Sequence, residues 1–70
     1  MRVLVTDNEG LRVQITELEF NVPSDRWYAS GWPLPLATKF KIKGEGPTIE
    51  SAVTQVLQNA KRELEKEAKH

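Results

Sequence analysis

Residues 26–36 read RWYASGWPLPL, and their conformation decides how many strands the chain forms. The stretch holds three of the five aromatic residues of the chain and two of its four prolines. Because Gly31, Pro33 and Pro35 interrupt any regular period, we interpret residues 23–35 as a long connection, with at most a short strand at 26–30. Its aromatic side chains then either close a small core or form the centre of a binding surface.

The first 22 residues predict a β-hairpin. The segments VLV (3–5) and LRVQI (11–15) are rich in β-branched residues and flank a turn with Asp7 at its first position and Gly10 at its fourth. Further along the second strand the apolar residues change parity, from Leu11, Val13 and Ile15 to Leu18, Phe20 and Val22. A bulge near Thr16-Glu17 would return both sets to one face of the sheet, the face that we expect to form the core against the helix.

Residues 36–44 predict a third strand, and residues 47–69 predict a helix. In the strand, Phe40 and Ile42 alternate with three lysines, so we expect Phe40 and Ile42 to face the helix, and the segment Gly44–Gly46 ends the strand. Gly46 or Thr48 can cap the helix, and apolar residues recur along it at spacings of three and four. We therefore predict a single α+β domain, residues 1–70, in which a three-stranded antiparallel sheet carries one C-terminal helix on one face (β-β-β-α).

The composition excludes several kinds of protein. The 70 residues contain no cysteine, which removes disulfides, thiolate metal sites and thiol nucleophiles, and ten basic residues balance ten acidic ones. A neutral chain has no overall field that attracts nucleic acid or an anionic membrane. The start, MRVLVTDNEG, lacks the apolar run of a signal peptide or a membrane span. We expect a soluble, cytoplasmic protein that binds no membrane.

The residues that catalysis would require are scarce. The one histidine is His70, the last residue, and Asp7 and Asp25 lie in segments where a carboxylate usually bonds the backbone of a turn. Gly44 and Gly46 precede the helix but lack the third glycine and the lysine of a phosphate-binding loop. We therefore expect no enzymatic activity, no metal and no cofactor.

Three surfaces are candidates for binding a partner. Aromatic and arginine side chains dominate the centres of protein interfaces, which makes the aromatic stretch the candidate protein-binding site: Arg26, Trp27, Tyr28, Trp32 and Leu34. A basic row is the candidate nucleic-acid site: Arg12, Lys39, Lys41 and Lys43. Glu17 and Glu19 share the outward parity of the second strand, so these lysines can instead form ordinary cross-strand ion pairs.

The third surface is a narrow apolar seam on the helix, which could pair with its twin in a homodimer: Leu57, Ala60, Leu64 and Ala68. The charges around it, such as Lys61 and Glu65, are also typical of a solvated helix. The two interpretations of the helix tail stay open at this point.

Residues 40–64, FKIKGEGPTIESAVTQVLQNAKREL, resemble the strand-turn-helix segment of HicB-type antitoxins. The matching positions are Gly46, Thr48, Ile49, Glu50 and Ala52. The same segment is more distantly similar to the strand and last helix of a double-stranded-RNA-binding domain, which has lysines where Ile49, Glu50 and Ser51 stand here. Both resemblances imply a strand followed by a turn and a helix.

The size, the neutral charge and the aromatic stretch together favour a non-catalytic protein that binds another protein stoichiometrically. Regulators and inhibitors of this kind are carried by bacteria and their phages. The alternative function is a nucleic-acid-binding module that uses the lysine-rich face of the third strand.

Overall fold

The computed structural model describes residues 2–34 and 40–68, with side chains described in the helix as far as residue 66. Four strands precede one helix: β1 (Val3–Thr6), β2 (Arg12–Asn21), β3 (Arg26–Leu34), β4 (Ile42–Gly46) and α1 (Ile49–Ala68). The strands form one antiparallel sheet in the order β1-β2-β3-β4. The predicted α+β class, the antiparallel sheet and the C-terminal helix are confirmed, but the prediction of three strands was wrong.

The first hairpin and its bulge follow the prediction. The Asp7 carboxylate accepts the backbone N–H groups of Glu9 and Leu11, each at 2.8 Å, and Gly10 has a φ of 88° that suits glycine. In β2 the register shifts between Ile15 and Glu17, so that Thr16 is the additional residue. The bulge brings Val13, Ile15 and Leu18 to the same side of the sheet.

The additional strand is β3, which lies where we predicted a long connection. It pairs with β2 along its whole length, from Arg26 opposite Asn21 to Leu34 opposite Arg12. Gly31 does not break the strand, because a Cβ there would lie 2.2 Å from the Gln14 backbone oxygen, so only glycine fits beside β2. Gly31, which we interpreted as an interruption of regular structure, is therefore compatible with a crowded central strand.

Pro33 also has a place in the ladder. The Asp7 N–H donates to the Leu11 carbonyl at 2.9 Å, so Asp7 and Leu11 are a hydrogen-bonded pair. Because such pairs alternate along an antiparallel ladder, the backbone N–H and C=O groups of Val13 point toward β1. The nitrogen of Pro33, which lies opposite Val13, then faces away from β2, on the side where β4 pairs. Since proline has no N–H, the pairing of β4 ends at Ile42 opposite Gly31.

This limit corrects the described part of the strand predicted at 36–44, of which residues 36–39 lie outside the described residues. The observed strand β4 covers Ile42–Gly46, so that Gly44 and Gly46 lie in it rather than after it. Phe40 lies in a bend before β4 and its side chain is 63% exposed, whereas we predicted that it would face the helix beside Ile42. If the ladder continued, Pro33 would lie opposite Phe40, and this pair could form only one of its two backbone hydrogen bonds because Pro33 has no N–H.

Helix α1 begins after a side-chain cap. The Thr48 hydroxyl accepts the N–H of Ser51 at 3.1 Å, and the Ser51 hydroxyl accepts the N–H of Thr48 at 3.0 Å. Pro47 therefore precedes the cap instead of opening the helix. Within the described residues, no helix is both long and apolar enough to cross a lipid bilayer.

The core lies between α1 and one face of the sheet. Its buried members are small or β-branched: Val13, Ile15, Ala29, Ile42, Ala52, Val56 and Ala60. Leu18 packs against them, but Phe20 is 41% exposed and Val22, in the turn before β3, is 76% exposed, although we predicted both in the core. The helix reaches β2, β3 and β4, and Lys61 joins it to Glu9 of the first turn at 2.7 Å.

Candidate functional site

The side of the sheet away from α1 is the candidate functional site, and we call it the open face. It follows from strand alternation and register, since residues opposite one another in the ladder project to the same side. The open face consists of Leu4 and Thr6 of β1, Arg12, Gln14, Glu17, Glu19 and Asn21 of β2, alternate residues of β3 from Arg26 to Leu34, Glu45 and Lys43 of β4, and Lys41 just before β4.

Strand β3 divides the predicted protein-binding residues between the two faces. Arg26, Tyr28, Trp32 and Leu34 have even numbers and lie in one column of the open face. Trp27 has the opposite parity and packs against the core, with its ring centroid 5.3 Å from that of Phe20. The aromatic stretch thus supplies one tryptophan to each side of the sheet.

The centre of the open face is a shallow depression. Ser30 occupies the middle of the β3 column between Glu17 of β2 and Lys43 of β4, and its short side chain leaves room there. Tyr28, which is 36% exposed, lines the same depression at one end. Aromatic, hydroxyl, carboxylate and ammonium groups therefore meet in one concave area.

Two ion pairs join charged residues of the open face. Lys41 forms a hydrogen-bonded ion pair with Glu17. This bond is the largest influence that lowers the pKa of the Glu17 carboxyl below its ordinary value of 4.5, and the Ser30 hydroxyl and the charge of Lys43 act in the same direction. At the other end, Arg26 Nε lies 3.9 Å from Glu45 Oε1.

The predicted nucleic-acid residues are only partly brought together. Lys41 and Lys43 flank the depression, Arg12 lies at the far end of β2 beside Leu34, and Lys39 lies outside the described residues. The described open face also carries Glu17, Glu19 and Glu45, which offset its basic groups. Lys41 and Glu17 do form an ion pair, but β3 lies between β2 and β4, so it is not the pair between adjacent strands that the alternative interpretation of the lysine row predicted.

The predicted helix seam faces the molecule's own core over part of its length. Ala60 is fully buried and Leu57 packs against the buried cluster. Leu64 is half-buried and lines a small depression with Leu11 and Leu34, and Ala68 is the last residue of the helix. A second helix could therefore not reach Ala60 without displacing the sheet.

Other sequence features have structural roles. A Cβ at Gly44 would lie 2.6 Å from the backbone nitrogen of Val56, which shows that β4 and α1 touch through their backbones at this point. Among residues 2–34 and 40–68, no group of three or more histidine, cysteine, aspartate or glutamate residues could hold a metal ion. His70 lies outside the described part of the chain.

Sequence reasoning missed Leu4, Gln14, Ser30 and Glu45 as members of this surface. The signal was present in residues 26–34, whose small residues Ala29 and Gly31 alternate with larger ones. Since we interpreted this segment as a connection, neither its alternation nor its partners in β2 and β4 entered the prediction.

No protein-family model matches the chain, and no curated protein and no solved structure matches it significantly. The function is therefore argued from the open face itself.

Proposed function

We propose that this chain is a small non-catalytic regulator or inhibitor that binds another protein stoichiometrically through the open face. The observation that carries the proposal is the column of Arg26, Tyr28, Trp32 and Leu34 on β3, a central strand whose position is fixed by pairing on both sides. Such residue types contribute most of the binding energy in many protein interfaces. A rigid strand presents them with little loss of conformational entropy on binding.

The chemistry around the column supports a protein partner over a nucleic acid. Phosphate binding needs cations that are free to release their counterions, but Lys41 is already paired with Glu17, and Arg26 lies near Glu45. A surface that mixes apolar, aromatic and both kinds of charged groups suits a protein surface of similarly mixed character.

The non-catalytic part of the proposal rests on how the carboxylates are used. Glu17 accepts from Lys41, and Asp7 accepts two N–H groups of its own turn. Groups engaged in this way stabilise the fold and are poorly placed to act as bases.

The test is a comparison of tagged variants as baits in a bacterial lysate. Wild type and Trp32→Ala are compared, with Val22→Ala as the matched control because Val22 is exposed and lies outside the open face. We expect one protein to be retained in equimolar amount by wild type and Val22→Ala and lost with Trp32→Ala, while circular dichroism shows that all three fold. A partner retained equally by Trp32→Ala and Tyr28→Ala would contradict the proposal.

Titration with DNA and RNA at two salt concentrations tests the alternative. We expect no binding even at low ionic strength. Binding that weakens steeply with salt and is lost in Lys43→Ala would instead assign the open face to nucleic acid.

A further inference from the structure

Among the strands that the structure describes, β1 and β4 lie at the edges of the sheet, and the β4 edge is protected. The amide of Asn59 on α1 donates to the backbone carbonyl of Lys43 at 2.7 Å, which occupies an acceptor that another strand would need. The side chains of Lys43 and Glu45 are exposed on this short strand. Charges and a covering helix are the means by which natural sheets prevent pairing between edges.

Unlike the β4 edge, the β1 edge has backbone N–H and C=O groups that point outward. Asp7 donates its N–H to the Leu11 carbonyl, so Asp7 and Leu11 are a hydrogen-bonded pair. Because such pairs alternate along an antiparallel ladder, Val3 and Val5 bond to β2, whereas the N–H and C=O groups of Leu4 and Thr6 point outward. The β1 edge thus presents a row of donors and acceptors.

The side chains of β1 do not protect that row. Val3 is 47% exposed and Leu4 is 52% exposed, and the strand VLVT contains no charge, no proline and no bulge. Within the described residues α1 contacts β2, β3 and β4 but does not reach β1. The strand therefore has the properties of an edge that pairs with another strand.

We propose that the occupant of this edge is β1 of a second copy of the chain, which makes a two-fold symmetric dimer. A two-fold axis perpendicular to the sheet, passing beside Leu4, places Leu4 opposite Leu4 of the second copy and Val3 opposite its Val5. In this register Arg2 and Thr6 complete hydrogen-bonded pairs on either side, and each such pair exchanges two N–H to C=O bonds.

The sequence of β1 is self-complementary, which favours this register and a second copy of the chain as the partner. Moving the axis by one residue, to Val5, would keep a contact between the two Val5 side chains but would place Leu4 opposite Thr6 and Val3 opposite Asp7, so that the two exposed apolar residues of β1 would lose their apolar partners. In the proposed register every exposed apolar residue of β1 meets another one, and two four-stranded sheets become one sheet of eight strands. The contact area is small, so we expect a dissociation constant on the order of 0.1 mM.

Sedimentation of the full chain from about 10 μM to about 1 mM tests the dimer, since this range spans the expected dissociation constant. The apparent mass should rise from one chain toward two. Leu4→Lys places two ammonium groups opposite each other at the axis and should keep the chain monomeric throughout. Val22→Lys, the control, adds the same charge at an exposed turn residue and should dimerise as wild type does.

Amide hydrogen exchange identifies the interface. The Leu4 and Thr6 amides should exchange several-fold more slowly at high concentration, whereas the Val5 amide, which already bonds to β2, should change little. A chain that stays monomeric at the highest concentration overturns the inference, as does a dimer whose Leu4 and Thr6 amides exchange at unchanged rates. Trp32→Ala should dimerise normally, so failure of this inference is distinguishable from failure of the proposed function.

Discussion

The two faces of the sheet use opposite kinds of residue. Toward the helix, β3 and β4 present Ala29 and Gly44, and α1 presents Ala52 and Ala60, so that the backbones of β4 and α1 approach closely. On the open face the same strand β3 carries Tyr28 and Trp32. Small residues therefore let the helix pack closely on the sheet, and the large side chains of Tyr28 and Trp32 are available on the other side.

The largest effect is expected at the point where β4 and α1 touch. Gly44→Ala adds a methyl group 2.6 Å from the Val56 nitrogen and 2.7 Å from the Ala52 oxygen, both backbone atoms that cannot rotate away. We expect the free energy of unfolding to fall by about 3 kcal/mol or more in urea denaturation.

Gly10→Ala is the control for this variant. A Cβ at Gly10 meets no atom within 4 Å, and only the positive φ is unfavourable, so the expected loss is about 1 kcal/mol. If Gly44→Ala unfolded at the same urea concentration as wild type, close backbone approach would not be what holds the helix in place.

A smaller effect should separate the two tryptophans. Trp27→Ala removes a ring that packs on the core and on Phe20, and should cost about 2 kcal/mol of unfolding free energy. Trp32→Ala removes a half-buried ring from the open face and should cost about 1 kcal/mol or less. Equal losses of unfolding free energy for the two variants, measured by thermal and urea unfolding, would mean that Trp27 and Trp32 contribute equally to stability.

The smallest effect concerns the ion pair of the open face. Since Lys41 lowers the pKa of Glu17 in the folded chain, this carboxylate stabilises the fold above its ordinary pKa of 4.5, and the contribution disappears as the pH falls through the lowered value. Glu17→Gln should therefore lower the urea midpoint slightly at pH 7 and not at all in strong acid.

Glu19→Gln is the matched control, because it removes the same charge from the same strand and face. A pH-independent difference between Glu17→Gln and wild type would show that the carboxylate is not stabilised by its charge. The effect should also diminish in high salt, since the pair is solvent-exposed.

The sequence predicted those parts of the fold that depend on local patterns. The turn at Asp7–Gly10 has a side-chain acceptor and a glycine at the required positions, the change of parity required a bulge, and the helix has a regular apolar stripe with a Thr48 cap. Each of these signals lies within a few residues of the structure it predicts.

The missing strand depended on contacts that are distant in sequence. Gly31 is required by the backbone of Gln14, and Pro33 is tolerated because its nitrogen faces the end of the β4 ladder, and neither fact can be read from residues 26–36 alone. The error in β3 then moved the predicted third strand and placed Phe40 in the core. For the open face, the sequence predicted four of the β3 residues, but not that Trp27 lies on the opposite side.

Within the described residues, strand β1 pairs with one neighbouring strand and its backbone does not come close to the helix, although Val5 packs against the core. We therefore expect its detachment to cost less free energy than the unfolding of the whole domain. Detachment of β1 would make β2 the edge strand, and β2 carries Val13 and Ile15, which are central to the core. A contact that holds β1 in place therefore also keeps the core residues of β2 from transient exposure to solvent.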